Sequence, residues 1–121
     1  MESDRFILTL PSEAIRNLED AESLVNFWVN VLDLDADLAA IPRQRVRAER
    51  LSMDRQISAG WMHSGYPVMA FASYASALVD LPTLSTTGDW GAFHELGHNH
   101  QWYPEVLPGT TESTCNLWSV Y

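Results

Sequence analysis

The stretch "DWGAFHELGHNHQWYPE", residues 89–105, constrains the chain most, because its histidines can act together only on a helix. Three of the chain's four histidines stand in it. On a helix, residues four apart share a face, so His94 and His98 aim their imidazoles at one point. Two such nitrogens can bind zinc at about 2.0–2.1 Å. Glu95 follows His94, turned by about 100° around the axis, and so stands beside the metal. That placement suits a base acting on water at the metal. Asp89 is placed to cap a helix from about Trp90 to Gln101, with Phe93 and Leu96 anchoring its other face. Gly97 inside the helix costs about 1 kcal/mol relative to alanine. Another element is therefore expected to pack close to its backbone.

A catalytic zinc takes a third protein ligand and leaves a fourth position for water. His100, two positions after His98, points about 200° away and cannot join the site while the helix continues. Glu105 lies in the loop "WYPEVLPGTT", where no element holds it. Glu112 starts the next expected helix, "TESTCNLWSVY", after a loop long enough to reverse direction. A ligand on a rigid element is better fixed than one on a loop. Glu112 is therefore the preferred third ligand and Glu105 the alternative.

The rest of the chain supplies a frame of α+β class. "RFILTL" reads as a strand ending at Pro11, and "SEAIRNL" as a short helix. Asp20 can cap a longer helix in which Leu24, Phe27, Trp28, Val31, Leu32 and Leu38 recur at helical spacing. It should end before Pro42. Gly60, Gly65 and Pro67 punctuate short apolar pieces, as in strands joined by tight turns. "ASYASALVDLPTL" suggests a short helix followed by a turn, and "TTGDW" a loop. Strand, helices, strands, then helices is an α+β order.

Other signals carry less. "DLDADL" imitates a calcium loop, but Leu38 and Gln44 stand where that loop needs glycine and glutamate; it reads as a solvated helix end. Arg43, Arg45, Arg47 and Arg50 form a local basic cluster, read as a surface ion-pair patch. His63 reads as structural and Cys115 as a small buried apolar residue. The net charge of −9 argues against a nucleic-acid partner, which requires a clustered basic surface. The single cysteine excludes a disulfide within the chain. No stretch approaches the roughly 20 apolar residues of a membrane span.

"WGAFHELGHNHQW", then "GTTESTCNLWSVY", with "QISAGWMHSGYPVM" upstream, together resemble the enhancin-like zinc peptidases, metallopeptidase family 60. Members pair H-E-x-x-H with a glutamate on a following helix, the gluzincin arrangement, and thirteen residues separate His98 from Glu112 here. The resemblance implies a zincin-like catalytic domain with a mixed sheet and an active-site helix. Residues 1–121 would be its N-terminal part through the zinc-ligand helix, truncated at the C-terminus. It implies Zn2+ held by His94, His98 and Glu112, with Glu95 as catalytic base. It further implies endopeptidase action on O-glycosylated, mucin-like proteins, with carbohydrate-binding modules elsewhere in the full protein. The "TCNLW" region also resembles the peptidase-like domain of the TRP channel-associated factors, which implies a non-catalytic regulatory module. An extracellular or cell-surface location goes with the first reading, a cytoplasmic or membrane-associated one with the second. The intact H-E-x-x-H favours the enzyme.

Overall fold

Alternating burial along three short segments builds the sheet. Phe6 and Leu8 in β1 (Phe6–Thr9), Leu51 and Met53 in β2 (Glu49–Asp54), and Val68 and Ala70 beyond them are buried. Their neighbours Ile7, Arg50, Ser52 and Met69 are half-buried on the opposite face. Side chains of a strand alternate between faces, so one face carries the core. The computed structural model describes the chain from Met1 to Tyr121 except for the side chain of Glu105.

The sheet is mixed, as expected. Its spatial order is β1–β2–β4–β3, with β3 at Met62–His63 and β4 at Val68–Phe71. β2 lies between β1 and β4, parallel to both, while β3 runs antiparallel along the edge of β4. A parallel neighbour requires a crossover, supplied between β1 and β2 by α1 (Ser12–Ile15) and α2 (Ala21–Leu38). Asp20 caps α2 by accepting from the Ser23 amide at 2.9 Å. The α2 stripe lands on the buried face of the sheet. Trp28 stacks on Phe6 with ring centroids 5.7 Å apart and donates its indole N–H to the Leu78 carbonyl at 3.2 Å. No helix among the described residues is long and apolar enough to cross a membrane.

Two segments depart from expectation. "ASYASALVDLPTL" forms two single 3₁₀ turns and only then a helix, α3 (Leu81–Thr87). Asp80 caps α3 through the Thr83 amide and Pro82 sits in its first turn, so the helix runs into the "TT" read as loop. "DLDADL" is the second. Asp37 does lie at a solvated helix end, paired with Arg43 at 2.6 Å. Asp33 is partly covered and pairs with Arg5 and Arg43. Asp35, however, is only 3% exposed, because it falls on the apolar stripe one turn after Val31.

The Asp35 Oδ2 atom has no hydrogen-bond partner among the described residues. It faces Glu49 of β2, the Arg45 guanidinium, and the His100 ring at 3.9 Å. Burial, then the Glu49 charge, pushes this carboxyl up to about 8, against the pull of Arg45. In the unfolded chain it titrates near 3.8, so the folded state holds the proton more tightly. The stabilisation is complete below the unfolded value and is lost as pH rises towards 8. Asp35→Asn should therefore raise the melting temperature more at pH 8 than at pH 5. The gain should differ by about 1 kcal/mol or more, because between these pH values the unfolded chain is already ionised while the folded state still holds the proton. Equal melting shifts at both pH values would count against a buried neutral acid.

Candidate metal centre

The H-E-x-x-H segment lies on α4, Trp90–His100. Asp89 caps it, its Oδ1 accepting from the Ala92 amide at 2.8 Å. The same carboxylate accepts the Tyr74 hydroxyl at 2.7 and 2.8 Å, which ties the helix start to the segment after β4. Ala92 and Leu96 enter the core. Their burial turns His94, Glu95 and His98 to the other side of the helix, where they are half-buried. His100 is buried on the far side, as its spacing requires. Its Nδ1–H donates to the Leu96 carbonyl at 2.7 Å, and its Nε2 accepts from Arg45 at 3.0 Å.

Gly97 marks where the following helices cross α4. These are α5 (Thr111–Thr114) and α6 (Asn116–Val120). A Cβ on Gly97 would meet the Cys115 carbonyl oxygen at 2.5 Å and the Trp118 Cβ at 3.1 Å. The first contact is with backbone, so α6 would have to move. Gly97→Ala should gain the helix propensity of alanine, about 1 kcal/mol, but lose more to overpacking, which typically costs about 1–3 kcal/mol. We expect lower melting temperature and weaker metal binding together, because the same crossing carries Glu112. A variant with a raised melting temperature would show that the helices do not touch here. Thr110 precedes α5 without a side-chain cap and donates its hydroxyl to the Leu107 carbonyl.

His94, His98 and Glu112 converge. The two Nε2 atoms are 3.2 Å apart, and the Glu112 Oε2 lies 3.2 Å from that of His94 and 3.3 Å from that of His98. Donors about 2.0–2.1 Å from a tetrahedral ion stand about 3.3–3.4 Å from one another. The three atoms are thus spaced as three corners of such a tetrahedron.

The hydrogen bonds behind the rings show what the corners present. His94 Nδ1 faces the Asn116 Oδ1 at 2.7 Å, and the Asn116 amide nitrogen donates to the Glu112 carbonyl. His98 Nδ1 faces the Gln101 Oε1 at 3.0 Å, while the Gln101 amide nitrogen donates to the Thr111 carbonyl and Thr114 hydroxyl. Each amide is therefore oriented with its oxygen towards the histidine. Each Nδ1 then carries the proton, and each Nε2 presents a lone pair. Two lone pairs and a carboxylate oxygen point at one place with no proton between them. Such a donor set calls for a small cation. Sequence reasoning missed Asn116 and Gln101; their offsets, four after Glu112 and three after His98, are the signal that was there.

Cys115 borders the same place. One donor atom from each of His94, His98, Glu112 and Cys115 fits within 4.8 Å of the others. The sulfur lies 3.3 Å from His94 Nδ1 and 3.5 Å from Nε2. Near-equal distances to both nitrogens put it over the ring face, not ahead of the Nε2 lone pair. Burial, then the charges of Glu112 and Glu95, pushes the thiol up to about 11, which favours neutral SH. The sulfur thus borders the donors beside the His94 ring, next to a cleft.

That cleft is lined by Glu95, His98 and Glu112 together with Met62, His63, Ser64 and Tyr103. Glu95 stands on the wall beside the donors, as the spacing implied. His63, read as structural, also lines the cleft; it bonds the Ser64 carbonyl at 2.9 Å and the Ser58 hydroxyl at 3.0 Å. The side chain of Glu105, the alternative third ligand, lies outside the described residues.

Comparison with known proteins places the chain in a family. The model described as "Peptidase M60, enhancin and enhancin-like" matches residues 1–121. The chain is 52% identical over 122 residues to the TRPM8 channel-associated factor homolog of Xenopus laevis, covering 98% of this chain. It spans only 13% of that relative's length. The fold is similar to a functionally unknown conserved protein from Bacillus anthracis, with a TM-score of 0.80 at 20% identity over 95% of this chain and 26% of that one. It is also similar to a metallopeptidase from Bacteroides thetaiotaomicron, with a TM-score of 0.75 at 18% identity over 95% of this chain and 20% of that one.

Proposed function

The chain belongs to the peptidase M60, enhancin and enhancin-like family, and from that premise we propose that it serves as part of a zinc-dependent endopeptidase. The observation that supports this best is the convergence of the His94 and His98 lone pairs with the Glu112 carboxylate. His94, His98 and Glu112 would hold the zinc; Asn116 and Gln101 fix the imidazoles in the ligating tautomer. Zinc, when bound, supplies the Lewis acidity that brings the pKa of a water towards about 7. Glu95, on the cleft wall, takes a proton from the attacking water and delivers it to the leaving amine. Cys115 shields one side of the donors. An O-glycosylated, mucin-like protein is the substrate we assign, and such cleavage places the enzyme outside the cell or at its surface.

A second reading has its own support. The relative that is 52% identical bears the name of a channel-associated factor. In that reading the module regulates a membrane channel through protein contacts and the donor cluster serves as scaffold. Purified full-length protein separates the two. The peptidase reading expects stoichiometric zinc and chelator-sensitive cleavage of an O-glycosylated mucin. Stoichiometric zinc without cleavage of mucin or casein, or no zinc at all, supports the module.

A further inference from the structure

We propose that Arg45 and Arg47 form a subsite for an acidic side chain of the substrate, beside the catalytic cleft; the inference rests on the peptidase reading above. The chain has seven cationic residues, all arginine, in a net charge of −9. Four of them, Arg43, Arg45, Arg47 and Arg50, crowd into one segment, read from the sequence as an ion-pair patch. That reading holds for Arg43, which binds Asp37 and Asp33. It does not hold for Arg45 and Arg47, which no carboxylate of the described residues approaches within 4.0 Å.

Both guanidinium groups are nevertheless held in place by neutral partners. Arg45 donates from one nitrogen to the His100 Nε2 at 3.0 Å, and the His100 Nδ1–H is committed to the Leu96 carbonyl. Arg47 lies 3.5 Å above the centre of the Tyr66 ring. An aromatic face orients a guanidinium without neutralising it and leaves its edge donors free. Both line a recess with Glu49, Gly65, Tyr66 and Asn99. The one carboxylate there, Glu49, accepts from the Asn99 amide and the Arg50 backbone. Two cations against one committed anion leave the recess positive in an acidic protein.

Its position supplies the function. Ser64 and His98 line the cleft, and their chain neighbours Gly65 and Asn99 line the recess. Asn99 pins that rim, accepting from the Gly65 amide at 3.0 Å and donating to the Gly65 carbonyl at 2.9 Å. Extended peptide advances about 3.3 Å per residue, so a polypeptide in the cleft reaches the recess within a few residues of the scissile bond. A glutamate or aspartate there meets guanidinium forks, whose geometry suits a carboxylate.

The test maps cut sites of the zinc-loaded full-length protein in a peptide library, with termini identified by mass spectrometry. We expect acidic residues enriched at one fixed position from the cut. Arg47→Gln should lower the acidic-to-neutral preference about tenfold, as loss of a charge-assisted hydrogen bond implies. Arg47→Lys should retain part of it, which separates the effect from misfolding. Arg16→Gln, an equal charge change at an exposed site within the crossover that does not line the recess, should leave the preference intact. Absence of an acidic preference, its survival in Arg47→Gln, or its equal loss in Arg16→Gln would overturn the subsite. If nothing is cleaved, the peptidase reading fails and the subsite is tested by binding. A fluorescein-labelled glutamate peptide should bind about tenfold tighter than its glutamine twin to wild type but not to Arg47→Gln. Equal binding of the two peptides by wild type would overturn the subsite as well.

Discussion

Glu95→Gln in the full-length protein should slow cleavage by about 10²- to 10⁴-fold, the range of a lost general base, while zinc remains bound. The amide has nearly the shape of the carboxylate and keeps the packing of the cleft wall, but it cannot accept the proton from water. Glu95 is not among the converging donors, so the metal should stay. Cleavage kinetics on an O-glycosylated substrate, paired with metal analysis of the same sample, give both readouts. A wild-type rate with zinc bound removes Glu95 as the base. Loss of zinc instead would mean that Glu95 takes part in holding it.

His94→Ala should have the largest effect on metal. The imidazole supplies one of the three converging atoms and lies against both Asn116 and Cys115. Removing a supporting partner of a metal-bound histidine typically costs about 10–100-fold in affinity, so removing the ligand itself should cost at least about 100-fold. Zinc raises the stability of a folded state that binds it by RT ln(1 + [L]/Kd). The zinc-induced rise in melting temperature seen with wild type should therefore vanish in the variant. The metal-free proteins should differ less, because the His94 side chain is not part of the buried core. An unchanged zinc titration would place the metal elsewhere.

The α+β class of the frame was legible in the sequence, and so was the grouping of His94, His98 and Glu112. His94 and His98 share a face by helix geometry alone, and Gly97 announced a close crossing before the element that makes it was known. Glu112 followed from preferring a helix to a loop. What the sequence could not show depended on contacts between distant segments. Cys115 reads as an apolar residue until α6 places it over the His94 ring. Asn116 and Gln101 are ordinary amides until the crossing sets them behind the imidazoles. Asp35 is a different case. It lies on the α2 stripe with Val31 and Leu32, so periodicity marked it for burial, but its charge and its acidic neighbours argued for solvent. Tertiary packing overrode composition, and a raised carboxyl is the consequence. In "ASYASALVDLPTL" the Asp80 cap and Pro82 at the helix start were readable signals that the helix lies at the end of the segment.

X-ray absorption at the zinc edge of the zinc-loaded full-length protein tests the central claim most directly. The account predicts two imidazole nitrogens at about 2.0–2.1 Å and oxygen for the remaining ligands. It predicts no sulfur, because the Cys115 sulfur lies against the His94 ring and not ahead of its Nε2 lone pair. A zinc–sulfur distance of about 2.3 Å would contradict it, turning an open site built for water into a closed structural one.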